Sequence, residues 1–195
     1  MLRLPLRVML ALFVLVPFCA SCQTPQPPQD VETLFLPDHE QWQRVNAQDD
    51  GHATLVEYVP SGQTLANWRE LLTIQGLDDR RGPQAPRPVM DELEAKMRAR
   101  GGELEWKVIE EDERSVTYEW TLHGANGIED QGELVRLIRG NDALHRAAYA
   151  YKGIPLAPER RSNRLELLRH ARVVKGEAQI QAAMRELLPE FAEKK

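Results

Sequence analysis

From Ser115 to Leu122 the chain alternates without a break, Val116, Tyr118, Trp120 and Leu122 falling between Ser115, Thr117, Glu119 and Thr121. Successive residues of a strand point to opposite faces, so this stretch builds a β-strand with one face in a core. The segment before it repeats the rhythm: Leu104, Trp106 and Val108 alternate with Glu103, Glu105 and Lys107, and the charged run Glu110 to Arg114 makes the turn between the two. Glu133 to Arg139 and Ala143 to Tyr151 read as third and fourth strands about the turn Gly140-Asn141-Asp142. Turns this short join antiparallel neighbours, so the four strands form a meander.

Earlier segments add to the sheet. Trp42 and Val45 lead into Asp49-Asp50-Gly51, a hairpin signal, and Thr54 to Val59 has the β-branched and aromatic composition of a strand. Thr64 to Trp68 is expected to form one helical turn capped by Thr64, and Glu70 to Gln75 a further strand. Prolines 83, 86 and 88 make Asp78 to Pro88 a loop. Val89, Met90, Leu93 and Met97 then recur at helical spacing, with Asp91, Glu92 and Glu94 early, Arg98 and Arg100 late, and Gly101-Gly102 as the stop.

The C-terminal part is expected to be helical. Ser162 caps a helix running through Val173 and ended by Gly176, and Ile180, Ala183, Met184, Leu187, Leu188 and Phe191 make one apolar stripe. Strands followed by helices define an α+β chain: one antiparallel sheet of roughly five to seven strands, a central helix, and C-terminal helices packed on the sheet. The order of elements resembles that of PsbP-like sandwich domains. The segment Gly62 to Gln75 is similar to a stretch found in uncharacterised exported bacterial proteins.

The N-terminus carries an address. Arg3 and Arg7 precede the apolar run Val8 to Phe18, and small residues Ala20 and Ser21 follow. That is the layout of a secretory signal peptide, and the run is too short for a spanning helix, which needs about 20 residues. The chain's two cysteines stand in Cys19-Ala20-Ser21-Cys22, which resembles the lipobox of bacterial lipoproteins. The resemblance implies cleavage before Cys22 and attachment of lipid to its sulfur. Cys19 departs from the Leu, Val or Ile usual at its position, which leaves ordinary signal-peptidase cleavage open. Gln23 to Asp30 holds Pro25, Pro27 and Pro28 and cannot pack a core. Extended at about 3.1 Å per residue, it would set the domain about 25 Å from a bilayer. The expected organisation is signal peptide 1–21, lipidated Cys22 with a tether to 38, and one α+β domain over 39–195. Gln23 after the cysteine, in the sorting pattern that the resemblance implies, sends the protein to the outer membrane facing the periplasm.

Formal net charge is −5. Phosphate backbones call for a basic face, so nucleic acid is excluded as the main partner. The five histidines, His39, His52, His123, His145 and His170, are scattered and show no metal-ligand spacing. No nucleophile elbow, Walker loop or dinucleotide fingerprint is present, so no catalytic residue and no cofactor is assigned. Two constellations remain. His145, Tyr149 and Tyr151 share one face of the fourth strand and are candidates to line a cleft. Arg160, Arg161, Arg164, Arg169, Arg172 and Lys175 are basic in an acidic chain. Of these, Arg161, Arg164, Arg169 and Arg172 are the candidates to bind an anion or partner. The expected function is a non-catalytic binding or structural module of the bacterial envelope, with a membrane contact through its lipid and an envelope protein or cell-wall component as partner. The alternative is an envelope hydrolase or small-ligand binder with a site assembled near His145 and Tyr149.

Overall fold

The computed structural model describes residues 31–37, 42–77, 82–125 and 127–187. The basic leader, Cys22 and the proline tract lie outside them, as do His39, Leu188 and Phe191. In chain order the elements are β1 (Glu32–Phe35), β2 (Trp42–Asp49), β3 (Ala53–Pro60), β4 (Glu70–Leu77), α1 (Pro86–Arg98), β5 (Glu103–Glu111), β6 (Ser115–His123), β7 (Gln131–Arg139), β8 (Leu144–Lys152), α2 (Pro158–Arg169), β9 (Arg172–Lys175) and α3 (Gly176–Leu187).

Seven strands form one antiparallel sheet in the order β2-β3-β4-β8-β7-β6-β5. Two meanders, β2 to β4 and β5 to β8, meet along β4 and β8, in register from Glu70 against Tyr151 to Leu77 against Leu144. The remaining strands, β1 and β9, pair antiparallel as a separate ribbon. The α+β class expected from the pattern is the one observed.

Both faces of the sheet are covered. On one, α1 lays Met90, fully buried, among Val116, Tyr118, Val135 and Leu137, while Trp106 stacks on Tyr118 with ring centroids 4.8 Å apart. On the other, Leu165 and Leu168 of α2 pack with Leu134, Ala147 and Tyr149, and Leu34 of β1 joins them. Burying each large apolar side chain contributes about 1.5–3 kcal/mol, so each layer holds its face of the sheet. The C-terminal carbonyls of α2 are met from the sheet: Arg136 Nη1 donates to the carbonyls of Leu168 at 2.8 Å and Arg169 at 2.5 Å. Those groups lack helical partners and sit at the negative end of the dipole. Arg136→Met should therefore lower the unfolding free energy by about 1–2 kcal/mol in urea titrations; an unmoved midpoint would show that water replaces the guanidinium at no cost.

Several boundaries differ from expectation. Thr64 to Trp68 is a turn, not a helical turn: the Asn67 amide reaches the Thr64 carbonyl at 3.1 Å, and Asn67 Oδ1 takes the Thr64 amide at 2.7 Å. Pro86 and Pro88 open α1 instead of ending a loop, because the first helical turn has no use for the amide hydrogens that proline lacks. The acids Asp91, Glu92 and Glu94 lie past that first turn and pair at i,i±4 with Arg87, Lys96 and Arg98.

The C-terminal boundaries shift too. Ser162 lies inside α2, which begins at Pro158 and stops at Arg169; Arg172 to Lys175 leaves the helix to pair with β1. Gly176, at φ 73°, opens α3 instead of closing a helix. The stripe lies on α3 as far as Leu187, with Ala183 buried, over the β1–β9 ribbon. The start of the domain moves back as well. Residues 32–35, assigned to the tether, are a strand whose Glu32 is almost wholly buried.

Candidate functional site

The register places His145, Tyr149 and Tyr151 on one face of β8, each no more than 2% exposed. The two tyrosines lie under α2. Tyr149 donates its hydroxyl to Glu70 Oε2 at 2.8 Å, and Arg160 Nη1 donates to the same oxygen at 2.7 Å. Tyr151 donates to Glu119 Oε1 at 3.3 Å, and Arg161 forks onto Glu119 with Nε at 2.8 Å and Nη2 at 2.6 Å from Oε2. The Arg164 guanidinium lies over the Tyr149 ring at 4.9 Å and the Trp42 ring at 5.3 Å. Burial, and then the neighbouring carboxylates, push both phenols above their ordinary acidity range.

The basic set is thus split by the fold. Arg161 and Arg164 turn inward against β4, β6 and β8. Arg169 pairs with Glu110 and Glu166, and Arg172, on β9, forks onto Glu186 of α3 at 2.6 and 2.8 Å. These four arginines are held by acids on separate elements and do not present one anion-binding face.

His145 has a different setting. It lies at the end of the sheet that carries the β2–β3 and β7–β8 turns. There a cleft of about 510 Å³ is lined by Val31, Glu32, Asp49, His52, Thr54, Gly76, Asp142 and His145, among others. The cross-strand pairs Asp49–Thr54, Thr54–Gly76 and Gly76–His145 run in one row across four strands and share a face. β1 brings Glu32 to the end of that row.

The Glu32 carboxylate is held by donors from the β7–β8 turn. It accepts the amides of Asn141 at 3.0 Å, Asp142 at 2.9 Å and Ala143 at 3.4 Å, and the Asn141 side-chain amide at 3.2 Å. His145 Nε2 lies 3.3 Å from Glu32 Oε2. Burial would raise this carboxyl, and the converging donors outweigh it, bringing it down from 4.5 to about 2. At neutral pH Glu32 is therefore ionised and can only accept. The His145 Nε2 hydrogen therefore points at this carboxylate. No described residue bonds Nδ1. A Cβ added at Gly76 would stand 2.8 Å from Thr54 Oγ1 and 3.8 Å from His145 Nδ1, so the Thr54 hydroxyl, which accepts the Gly76 amide at 3.2 Å, already crowds the space over this glycine.

The lining carries three carboxylates, Glu32, Asp49 and Asp142, and no Lys or Arg among the described residues. Asp142 is matched by Lys175 at 2.8 Å, and Asp49 Oδ1 takes the Gly51 amide at 2.8 Å. Among the described residues no three His, Cys, Asp or Glu side chains converge to hold a metal ion. Of the cleft, sequence reasoning had only His145. Glu32 lies 113 positions away, and no local pattern announces it. Thr54 and Gly76 become visible only once strand register is known. No family model matches the chain, and none of the curated proteins matches it.

Proposed function

We propose that this chain is a lipid-anchored protein of the bacterial envelope, attached through Cys22 and facing the periplasm from the outer membrane, whose domain is a non-catalytic binding module. The observation that carries the binding half is the cleft joining His145 to carboxylates from β1 and β2. Its volume lies within the range of about 300–1,000 Å³ typical of small-ligand sites. The anchor half rests on the lipobox-like sequence. The two halves fit spatially: Val31, nine positions after Cys22, lines the cleft, so a short tether would hold the cleft toward the bilayer, within about 30 Å of it.

Metabolic labelling with a palmitate analogue tests the anchor. Wild-type protein should take the label and fractionate with membranes, and Cys22→Ser should lose both. Equal labelling of the two would end the reading.

One observation favours a hydrolase instead. In the cleft Glu32 Oε2 lies 3.3 Å from His145 Nε2, and Thr54 stands on the same face two strands away, which puts a carboxylate, an imidazole and a hydroxyl in one site. Turnover of short ester substrates that disappears in Thr54→Val, with unchanged thermal stability, would establish that reading in place of simple binding.

A further inference from the structure

We propose that the β5 edge of the large sheet is a self-association surface, on which β5 of one copy pairs antiparallel with β5 of a second copy about a two-fold axis through Trp106. The inference goes beyond the binding reading given above and does not rest on it.

A strand at the border of a sheet carries a row of amides and carbonyls without a ladder partner, which another strand can complete. β5 is one border of the seven-stranded sheet and β2 the other. A bulge between Arg44 and Asn46 breaks β2 near its middle. On β5 the irregularity lies between Val108 and Glu110, so Glu103 to Val108 runs regular against β6. Trp106 stacks on Tyr118 in the layer under α1, and alternation puts Leu104 and Val108 on that face too, Val108 being 37% exposed. Glu105 and Lys107 point to the other face and are exposed. The cross-strand neighbour of Lys107 is Glu119, and that carboxylate is taken by the Arg161 fork. Glu105 receives only a long bond, 3.4 Å, from Thr121 Oγ1. Two opposite charges, two positions apart, thus stand on this edge without a close ion pair among the described residues.

The sequence of this edge is complementary to itself in one register. A two-fold axis through a residue sets that residue opposite its own copy. Centred on Trp106, Glu105 of each copy faces Lys107 of the other, and Leu104 faces Val108. The adjacent centres fail. An axis through Glu105 or through Lys107 sets that charge against its own copy, and like charges directly opposite are destabilising. An axis through Leu104 sets Glu103 against Glu105, and one through Val108 runs into the irregularity before Glu110. An axis between two residues would pair side chains of opposite faces. Beyond the matched stretch, Glu110 and Glu111 run past the start of the facing strand, which begins at Glu103, and meet no acid on it. The axis stands normal to the sheet, so both copies turn the same face to one bilayer.

Sedimentation equilibrium of the mature protein in density-matched non-ionic detergent measures the dimer. Glu105→Lys and Lys107→Glu each replace two attractions with two repulsions. Each should raise the dissociation constant about tenfold or more at an unchanged melting temperature, and the double reversal Glu105→Lys/Lys107→Glu should return it to near the wild-type value. Cross-linking in isolated envelope membranes tests the register. Co-expressed Glu105→Cys and Lys107→Cys chains should give a disulfide-linked dimer on oxidation. Either variant alone places its two thiols on a diagonal, more than about 7 Å apart at the backbone, and should give little. Should a reversal unfold the chain, the cysteine pair still gives the answer. The proposal fails if wild type stays a monomer at every concentration, if either folded reversal dimerises like wild type, if the double reversal remains as weak as the single ones, or if each cysteine variant links as readily alone as with the other. Palmitate labelling is independent of all these results, so the anchor and the dimer stand or fall separately.

Discussion

Glu32→Gln should destabilise the protein by roughly 3 kcal/mol at pH 7, one of the largest effects expected of a single substitution in this chain. The carboxylate gathers the amides of the β7–β8 turn and the His145 ring, and thereby ties β1 to the end of the sheet. A glutamine keeps the shape but turns an NH₂ toward groups that are themselves donors. The size follows from the fall of the carboxyl from 4.5 to about 2 in the folded protein. Because the folded value is depressed, the stabilisation is complete above pH 4.5 and drains away as pH falls from there toward 2. Urea unfolding of wild type at pH 7 and at pH 3 should show a loss that is much smaller in Glu32→Gln, the difference between the two proteins isolating this one group. A variant within about 0.5 kcal/mol of wild type at pH 7 would mean that the turn holds itself without the carboxylate.

The second large effect lies on the opposite face. Arg146 Nη2 donates to Glu133 Oε1 at 2.6 Å, and Trp120 Nε1 to Glu133 Oε2 at 3.1 Å. Both charged side chains are less than one fifth exposed. Burial, followed by the opposing influences of Arg146 and Glu133, leaves the Tyr118 phenol beside them with its acidity pushed well above the ordinary range. Glu133→Leu strands a guanidinium and an indole N–H in a mostly apolar layer and should cost about 3–5 kcal/mol. Arg146→Met strands the carboxylate and should cost a similar amount. The double variant Glu133→Leu/Arg146→Met leaves no charge behind and should recover most of the loss, since a buried pair seldom outperforms well-packed apolar replacements. A double-mutant cycle by chemical denaturation measures this. Two single losses that simply add in the double variant would show that the pair does not act as a unit.

These two clusters mark the limit of what the linear pattern could reveal. Val116 to Leu122 announced its strand because polar and apolar residues alternate along it, although Thr117 among the polar ones is itself buried. The same rule breaks on β7 and β8, where both faces are covered: Leu134 and Val135 are both fully buried. With no wet face, Glu133 and Arg146 look in sequence like surface residues and are in fact enclosed. Tertiary context also decided the C-terminal boundaries. Val173 and Val174 continue an apolar helical spacing, yet they pair with Leu34 and Thr33 as a strand. Pro158, a helix-opening residue, was the local signal for the true start of α2, and Ser162 only resembled one. Glu32 was out of reach because its strand spans four residues, too few for any period to show, and its partners come from the far end of the domain. His145, Tyr149 and Tyr151 did share a face as their spacing required, although α2 seals the last two.

The place where β4 meets β8 has a consequence for how the chain assembles. The first three strands of the sheet leave the N-terminal meander with an open flank along β4, and the strand that fills it arrives only after α1, β5, β6 and β7 have been laid down. Closing so long a loop costs entropy before its contacts form, a cost that rises only with the logarithm of its length, and such non-local pairing slows folding. Until Leu144 to Lys152 docks, the flank is a row of unsatisfied amides and carbonyls. An order of assembly in which the N-terminal meander forms first would leave that slot open to any extended peptide, including the same strand of a neighbour.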